Sequence, residues 1–301
     1  MILCCGEALI DMLPRETAAG ESAFAPHAGG SVFNTAIALG RLDAPVQFFS
    51  GLSSDLFGDV LRAELAASHV DASPADISDR PTTLAFVKLT DGHASYAFYD
   101  ENTAGRMLSE DDLPKVGADA LFFGGISLMV EPCGATYEAL MLREAPNRLT
   151  MIDPNIRPSF IRDETAYRTR LTRMMGAADI IKTSDEDLEW IVGNADANAL
   201  LASTGAQVIL LTRGGDGVSI VTADGTYDVA AERAQVVDTV GAGDTFSAGF
   251  MAQLHKSGHL TKDGIRQAAE ADLRAAAAFG AKVAAITVSR AGANPPWTSE
   301  L

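Results

Sequence analysis

The chain has 301 residues, 47% hydrophobic and 21% charged, with 23 Lys+Arg against 40 Asp+Glu, a formal net charge of -17 and a pI near 4.6. That balance describes a globular chain with a core large enough to need no covalent staples, and it excludes wholesale disorder. The acidic excess argues against a nucleic-acid or anionic-membrane surface, where phosphates demand Lys and Arg, although a few local donors can still hold a small anion.

The length admits one large α/β domain or two smaller ones. In chain order, Ile2–Cys5 is a short apolar run stopped by Gly6, as in a buried strand. Ser31–Leu42 carries apolar residues at helical spacing after Gly29-Gly30. Gln47–Ser50 reads as a strand and Asp55–Ser68 as an amphipathic helix. Thr82–Leu89 and Ala94–Tyr99 are β-prone runs around Asp91-Gly92, a hairpin signal, and with the residues after Asp11 they suggest a small separate sheet. Ala120–Phe123, Thr150–Ile152, Ile180–Lys182, Val208–Thr212 and Val218–Thr222 follow as strands, with helical patterns between several of them; Ala275–Ala285 reads as a packed helix. Alternating strand and helix implies a mostly parallel sheet with helices on both faces.

Cys4, Cys5 and Cys133 are the only cysteines, so neither a secreted disulfide scaffold nor a CxxC metal knuckle is expected. The first ten residues lack a basic start and a cleavage site, and Leu121–Val130 is too short to span a bilayer, which makes the cytoplasm the expected compartment. Of the histidines, His27, His69, His93 and His259 sit in loop-like contexts and His255 at a helix end; none has metal or triad spacing.

The segment that carries chemistry is Val236–Phe250, VVDTVGAGDTFSAGF. An apolar strand end at Val236-Val237 leads to Asp238, then to Gly241-Ala242-Gly243, Asp244 and a helix. Small residues at a helix start leave backbone N–H groups free to face an anion. A carboxylate at the same place would repel a bound phosphate, but it suits a general base beside the acceptor of a phosphoryl group. The plainer alternative for Asp244 is a helix cap. No GxxxxGK[ST] occurs, so this is no P-loop enzyme, and the Gly241–Gly243 amides are the main fixed anion site that the sequence offers.

Asp238–Asp244 resembles the C-terminal signature of the PfkB, or ribokinase-like, carbohydrate kinases, and Ala28-Gly29-Gly30-Ser31-Val32-Phe33-Asn34 resembles their N-terminal one. The resemblance runs from Gly6-Glu7 to Pro295-Pro296-Trp297 and is nearest to the bacterial fructokinases, in Phe98–Ala104, Asp153–Pro158 and Ser184–Asp187. It implies one ribokinase-like three-layer kinase domain over 1–301, with lid segments at about 11–27 and 82–104.

The implied activity is transfer of the γ-phosphate of ATP to D-fructose, giving D-fructose 6-phosphate, with Asp244 as base and the Gly241–Gly243 amides as anion hole. Sugar contacts are implied for Asp11, Gly29, Gly30, Asn34, Phe98, Asn155 and Arg157. Arg157 offers a fixed planar cation for sugar oxygens or the moving phosphoryl group, with a surface role equally open. Nucleotide contacts are implied for Ser184, Thr212, Gly214, Gly217, Gly241, Ala242, Gly243 and Asn294. Ser184–Asp187 departs from the commoner N-x-x-E, so magnesium is assigned to Asp187 or Glu186. A potassium-type cation is assigned to Asp238 with Ser289 and Gly292, in a segment whose plainer reading is a strand and a turn. The lid is expected to pair two copies into a homodimer.

Relatives acting on 2-keto-3-deoxygluconate tend to carry an Arg just after the lid aromatics, where this chain has Asp100-Glu101; two carboxylates there would repel an acidic sugar. Arg106 and Arg157 keep that acid in play. Ribose, another small sugar or a nucleoside remain alternative acceptors, and a non-catalytic sugar-binding regulator is an alternative of another class.

Overall fold

The computed structural model describes residues 1–90, 93–194 and 196–301. Its central sheet has eight strands. They are drawn from β1 (Ile2–Cys5), β2 (Leu9–Glu16), β3 (Ser22–Gly29), β4 (Val46–Phe49), β5 (Gly51–Ser53), β6 (Asp76–Ser78), β7 (Leu84–Thr90), β8 (His93–Tyr99), β9 (Ala120–Gly124), β10 (Leu149–Asp153), β11 (Ile180–Ser184), β12 (Val208–Thr212), β13 (Val218–Thr222) and β14 (Gly225–Val229), in the order β14-β13-β12-β11-β10-β9-β1-β4. The pairs from β4 to β12 are parallel, while β13 and β14 close one edge antiparallel.

The strand runs are apolar throughout because helices cover both faces. Side chains alternate between two cores: Ile2, Cys4, Ala120 and Phe122 enter one, and Leu3, Cys5, Leu121 and Phe123 the other. The first core is roofed by α1 (Ser31–Arg41) and α2 (Leu56–Ala67). The second is closed by α3 (Cys133–Glu144), α4 (Glu164–Ala177), α5 (Asp185–Val192) and α6 (Ala197–Ser203). Returning to the first face, α7 (Ala242–Lys256), α8 (Lys262–Gln267) and α9 (Glu270–Val288) complete the three layers of a ribokinase-like fold. A Cβ on Gly249 would lie 2.8 Å from the Cα of Gly280, so glycine on both helices lets α7 and α9 touch backbone to backbone.

The second sheet, in the order β3-β2-β7-β8, contains both segments expected to stand apart. β2 starts in the core at Leu9 and Ile10 and becomes exposed by Arg15 and Glu16, so one strand belongs to both bodies. β7 and β8 pair antiparallel as the hairpin pattern implies; its turn residues Asp91 and Gly92 lie outside the described residues. β5 and β6 form a short third sheet.

Three sequence expectations need correction. Val236-Val237 is no strand end. The two side chains are 62% and 61% exposed, and the segment is held through Val237 and Asp238 N–H bonds to Val288 O rather than by a neighbouring strand. Nor is there a strand in Ala284–Val288: α9 continues to Val288, because its alanines pack on α7 at helical spacing, and the turn containing Ser289 and Gly292 follows. His27 and His93 lie in β3 and β8, not in loops. Among the described residues, no helix is long and apolar enough to cross a membrane.

Candidate active site

A cavity of about 330 Å³ opens where the parallel strands end, between the main sheet and the second one. Ligands of open α/β sheets bind at this carboxyl edge. Gly241, Ala242, Gly243 and Asp244 form one wall of it. Gly241 has φ +77°, a left-handed conformation that turns the incoming loop into the head of α7, and a side chain there would press on Ala293. The first-turn amides of α7 therefore sit at the cavity.

Asp244 is buried, and desolvation pushes its carboxyl up to about 7. The nearby Asp153 charge adds to that rise; the hydrogen bond from Asn34 Nδ2 to Asp244 Oδ2, 2.9 Å long, and the Lys182 cation oppose it. Asn34 reaches Asp244 because Gly30 ends β3 and lets α1 begin at Ser31, directly facing α7. The Thr35 hydroxyl donates to Asp244 O at 3.2 Å and ties the same two helices together.

Asp11, Gly30, Phe98, Asn155 and Arg157 line the same cavity. Burial pushes the Asp11 carboxyl up to about 6. Gly29 stands behind it: a Cβ there would be 2.4 Å from Asp11 Oδ2, so the absence of a side chain makes room for the carboxyl. Phe98 packs edge-on to Phe160, centroids 4.7 Å apart, whereas Tyr99 is exposed and packs on Phe86. Arg157 donates to Ile156 O at 2.9 Å.

The remaining candidates lie outside this cavity. Ser184 and Thr212 are register partners at adjacent strand ends; Ser184 caps α5 by accepting from Asp187 N, and the Thr212 hydroxyl donates to Thr183 O. Gly214 and Gly217 bracket the turn after β12. Asn294 Oδ1 accepts from Arg41 Nη1 at 2.8 Å. Asp238 accepts from Val240 N and Gly292 N, stapling its loop to the turn after α9, while the Ser289 hydroxyl is turned to Ile286 O. Glu186 is exposed; Asp187 is buried and accepts from Ile156 N.

Two residues escaped the sequence reading. Glu7 is buried in the cavity wall, where Oε1 accepts from the Ser31 N–H and hydroxyl and Oε2 from Ser127 N, joining the loop after β1 to α1 and to the turn after β9. Lys182 on β11 is a buried cation that reaches the cavity floor, held by Asp153 Oδ2 at 2.8 Å. The cavity thus has a fixed positive group besides the helix amides. An alternating strand position hid the lysine, since such a site usually points into the core.

Asp100 and Glu101 do not line the cavity, so they present no carboxylates to repel an acidic ligand there. Asp100 is buried outside the cavity, paired to Arg106 at 2.9 Å, with Arg162 at 3.7 Å. Arg106 is consumed by that pair and by Glu131 O. The two charges satisfy each other, and neither residue lines the cavity.

Among the described residues there is no cluster of three or more His, Cys, Asp or Glu able to wrap an ion. Beside Lys182, however, Asp153 Oδ1 is buried without a hydrogen-bond partner among the described residues, and burial together with the Asp153 charge raises the neighbouring Asp187 carboxyl. This acidic pair short of positive charge fits a cation that keeps its own waters.

A three-layer α/β body with a second sheet over its carboxyl edge is the architecture of the ribokinase type. The pfkB family carbohydrate kinase model matches residues 1–300, and the chain belongs to that family. It is 55% identical over 280 residues to a fructokinase of Rhizobium leguminosarum bv. trifolii, covering 91% of this chain and 85% of that one. Fructokinase-1 of Zea mays is 31% identical, covering 100% and 95%. A fructokinase crystal structure with bound ATP from Xylella fastidiosa superposes with a TM-score of 0.88 at 29% identity, covering 97% of this chain and 93% of the other.

Proposed function

We propose that this carbohydrate kinase transfers the γ-phosphate of ATP to the 6-hydroxyl of D-fructose. The observation that carries the reading is the Asp244 carboxyl, buried at the head of α7 in one cavity with the Gly241–Gly243 amides. The hydroxyl oxygen attacks the γ-phosphorus, the bond to the β–γ bridging oxygen breaks to release ADP, and the hydroxyl proton passes to Asp244. The amides, aimed at the transferring group, stabilise its charge.

Asn34 orients the base, and Asp11, Gly30, Asn155 and Arg157 bind sugar hydroxyls, with Gly29 making room for Asp11. Phe98 covers the apolar side of the ring. The second sheet, with segments 11–27 and 82–104, acts as a lid on the single domain and excludes water from the transfer. Ser184, Thr212, Gly214 and Gly217, at the strand-end edge, are assigned to ATP together with Asn294, in the turn after α9. Magnesium, held through waters by Asp187, would neutralise the phosphates; exposed Glu186 is the weaker candidate. Asp238 and the turn carrying Ser289 and Gly292 are assigned to potassium as a brace behind the anion loop. The exposed aromatics Phe24 and Tyr99 on the second sheet support a homodimer through the lid. Free sugar and ATP as substrates suit the cytoplasm.

A neutral sugar is favoured because Glu7, Asp11 and Asp244 place three carboxylates in the cavity wall. Arg157 and Lys182 in the same wall are the observation behind a second reading, a kinase for 2-keto-3-deoxygluconate. ADP release across a sugar panel decides: fructose should be the best acceptor, and turnover on the keto acid without turnover on fructose would overturn the substrate assignment.

A further inference from the structure

We infer that Lys182 is a catalytic residue, whose ammonium group contacts the phosphoryl group during transfer from the side opposite the solvent. The inference rests on the kinase reading above. A Cβ on Gly243 would stand 3.0 Å from Lys182 Nζ, so the ammonium lies directly under the first turn of α7 and the missing side chain leaves its approach open. The side chain is 7% exposed, and that small exposed part is at the cavity. Asp153 Oδ2 is its hydrogen-bond partner among the described residues, and an ammonium has further N–H bonds to give.

A buried salt bridge that served only the fold would be a poor investment of two desolvated charges, since an apolar pair packs there as well or better. At this spot the pair has a use. With no ligand, Asp153 holds the ammonium ready. When the γ-phosphoryl group leaves the β–γ bridging oxygen and bonds to the sugar oxygen, negative charge spreads over its peripheral oxygens. A preoriented cation in a water-poor floor meets that charge without reorganising. Asp244 still takes the hydroxyl proton and ADP leaves, so Lys182 neither gains nor loses a proton. The helix amides and the ammonium then grip the transferring group from two directions, a division of labour that replaces the P-loop lysine absent from this sequence.

The test compares Asp153→Asn, Lys182→Met and the double variant. The double variant leaves no buried charge unpaired and serves even if Lys182→Met alone does not fold. Single-turnover phosphoryl transfer at saturating magnesium should be about 100- to 1000-fold slower in the double variant than in Asp153→Asn, which loses the same carboxylate but keeps the ammonium, the range for removing one oriented donor from a transition state. Fructose affinity by calorimetry should change less than about 3-fold, while affinity for ADP–aluminium fluoride with fructose should weaken in step with the rate. A double variant as fast as Asp153→Asn, or one whose losses sit wholly in fructose binding, overturns the inference. Wild-type enzyme that turns over no sugar would instead overturn the kinase reading on which it rests.

Discussion

Replacing Asp244 by Asn probes the base and its surroundings at once. The folded carboxyl titrates at about 7 against 3.8 when free, because burial disfavours its charge. Between those values the folded protein keeps a proton that the unfolded chain has lost. Its contribution to stability therefore falls as pH rises from about 4 to about 7, and is least favourable above that. Three units at about 1.4 kcal/mol each give a penalty of about 4 kcal/mol for the charged wild-type side chain. Asn has no charge to bury, and its carbonyl still accepts from Asn34. Urea unfolding near pH 8 should thus show Asp244→Asn more stable than wild type by up to about 4 kcal/mol, with the two curves converging near pH 4. In the same variant kcat should drop by about 100- to 10,000-fold, fructose affinity should hold, and the fall of wild-type activity below about pH 7 should vanish. Equal stability at both pH values would refute the desolvation argument; near wild-type turnover would remove Asp244 from the base role.

Asn34→Ala deletes the hydrogen bond that favours the Asp244 carboxylate, so the acid limb of the kcat profile should move upward by about one pH unit, read from initial rates across pH. Gly241→Ala combines a left-handed φ with a Cβ 2.6 Å from Ala293 Cβ; a loss of about 1–3 kcal/mol in chemical denaturation and a kcat defect with little change in fructose affinity should follow. Arg157→Ala should raise the KM for fructose at least as much as it lowers kcat, whereas a pure kcat effect would move Arg157 from the sugar to the phosphoryl group. Excess EDTA should abolish turnover, and Asp187→Asn should raise the magnesium concentration needed for half-maximal rate; indifference to both would remove the metal from the proposal.

The fold was legible where one force dominated. Ile2–Cys5, Val208–Thr212 and Val218–Thr222 are strands with the expected bounds, because apolar runs ended by Gly or turn residues can bury themselves in few other ways. Val236-Val237 misled for the same reason: the run looked like a strand end, yet apolar side chains on a loop beside a site are free to remain exposed. The helical roof residues Asn34 and Asp244 could be picked out from two signatures, but their hydrogen bond could not. Lys182 and Glu7 were missed because a charged residue at a strand or its end is readable only when the cavity it faces is known. Asp100 erred in the other direction, since its charge is cancelled by Arg106, a partner that no linear spacing announces.

The 2.9 Å contact between Asn34 and Asp244 spans 210 positions of chain. Neither half of the molecule can therefore be tuned for turnover by itself. In a chimera that takes its first forty residues from one relative and its last sixty from another, both parents' pieces would have to meet at this amide–carboxyl seam before the base had its working acidity. Refolding should obey the same logic: enzyme activity would return only with the docking of α1 on α7, after either helix alone had regained its shape.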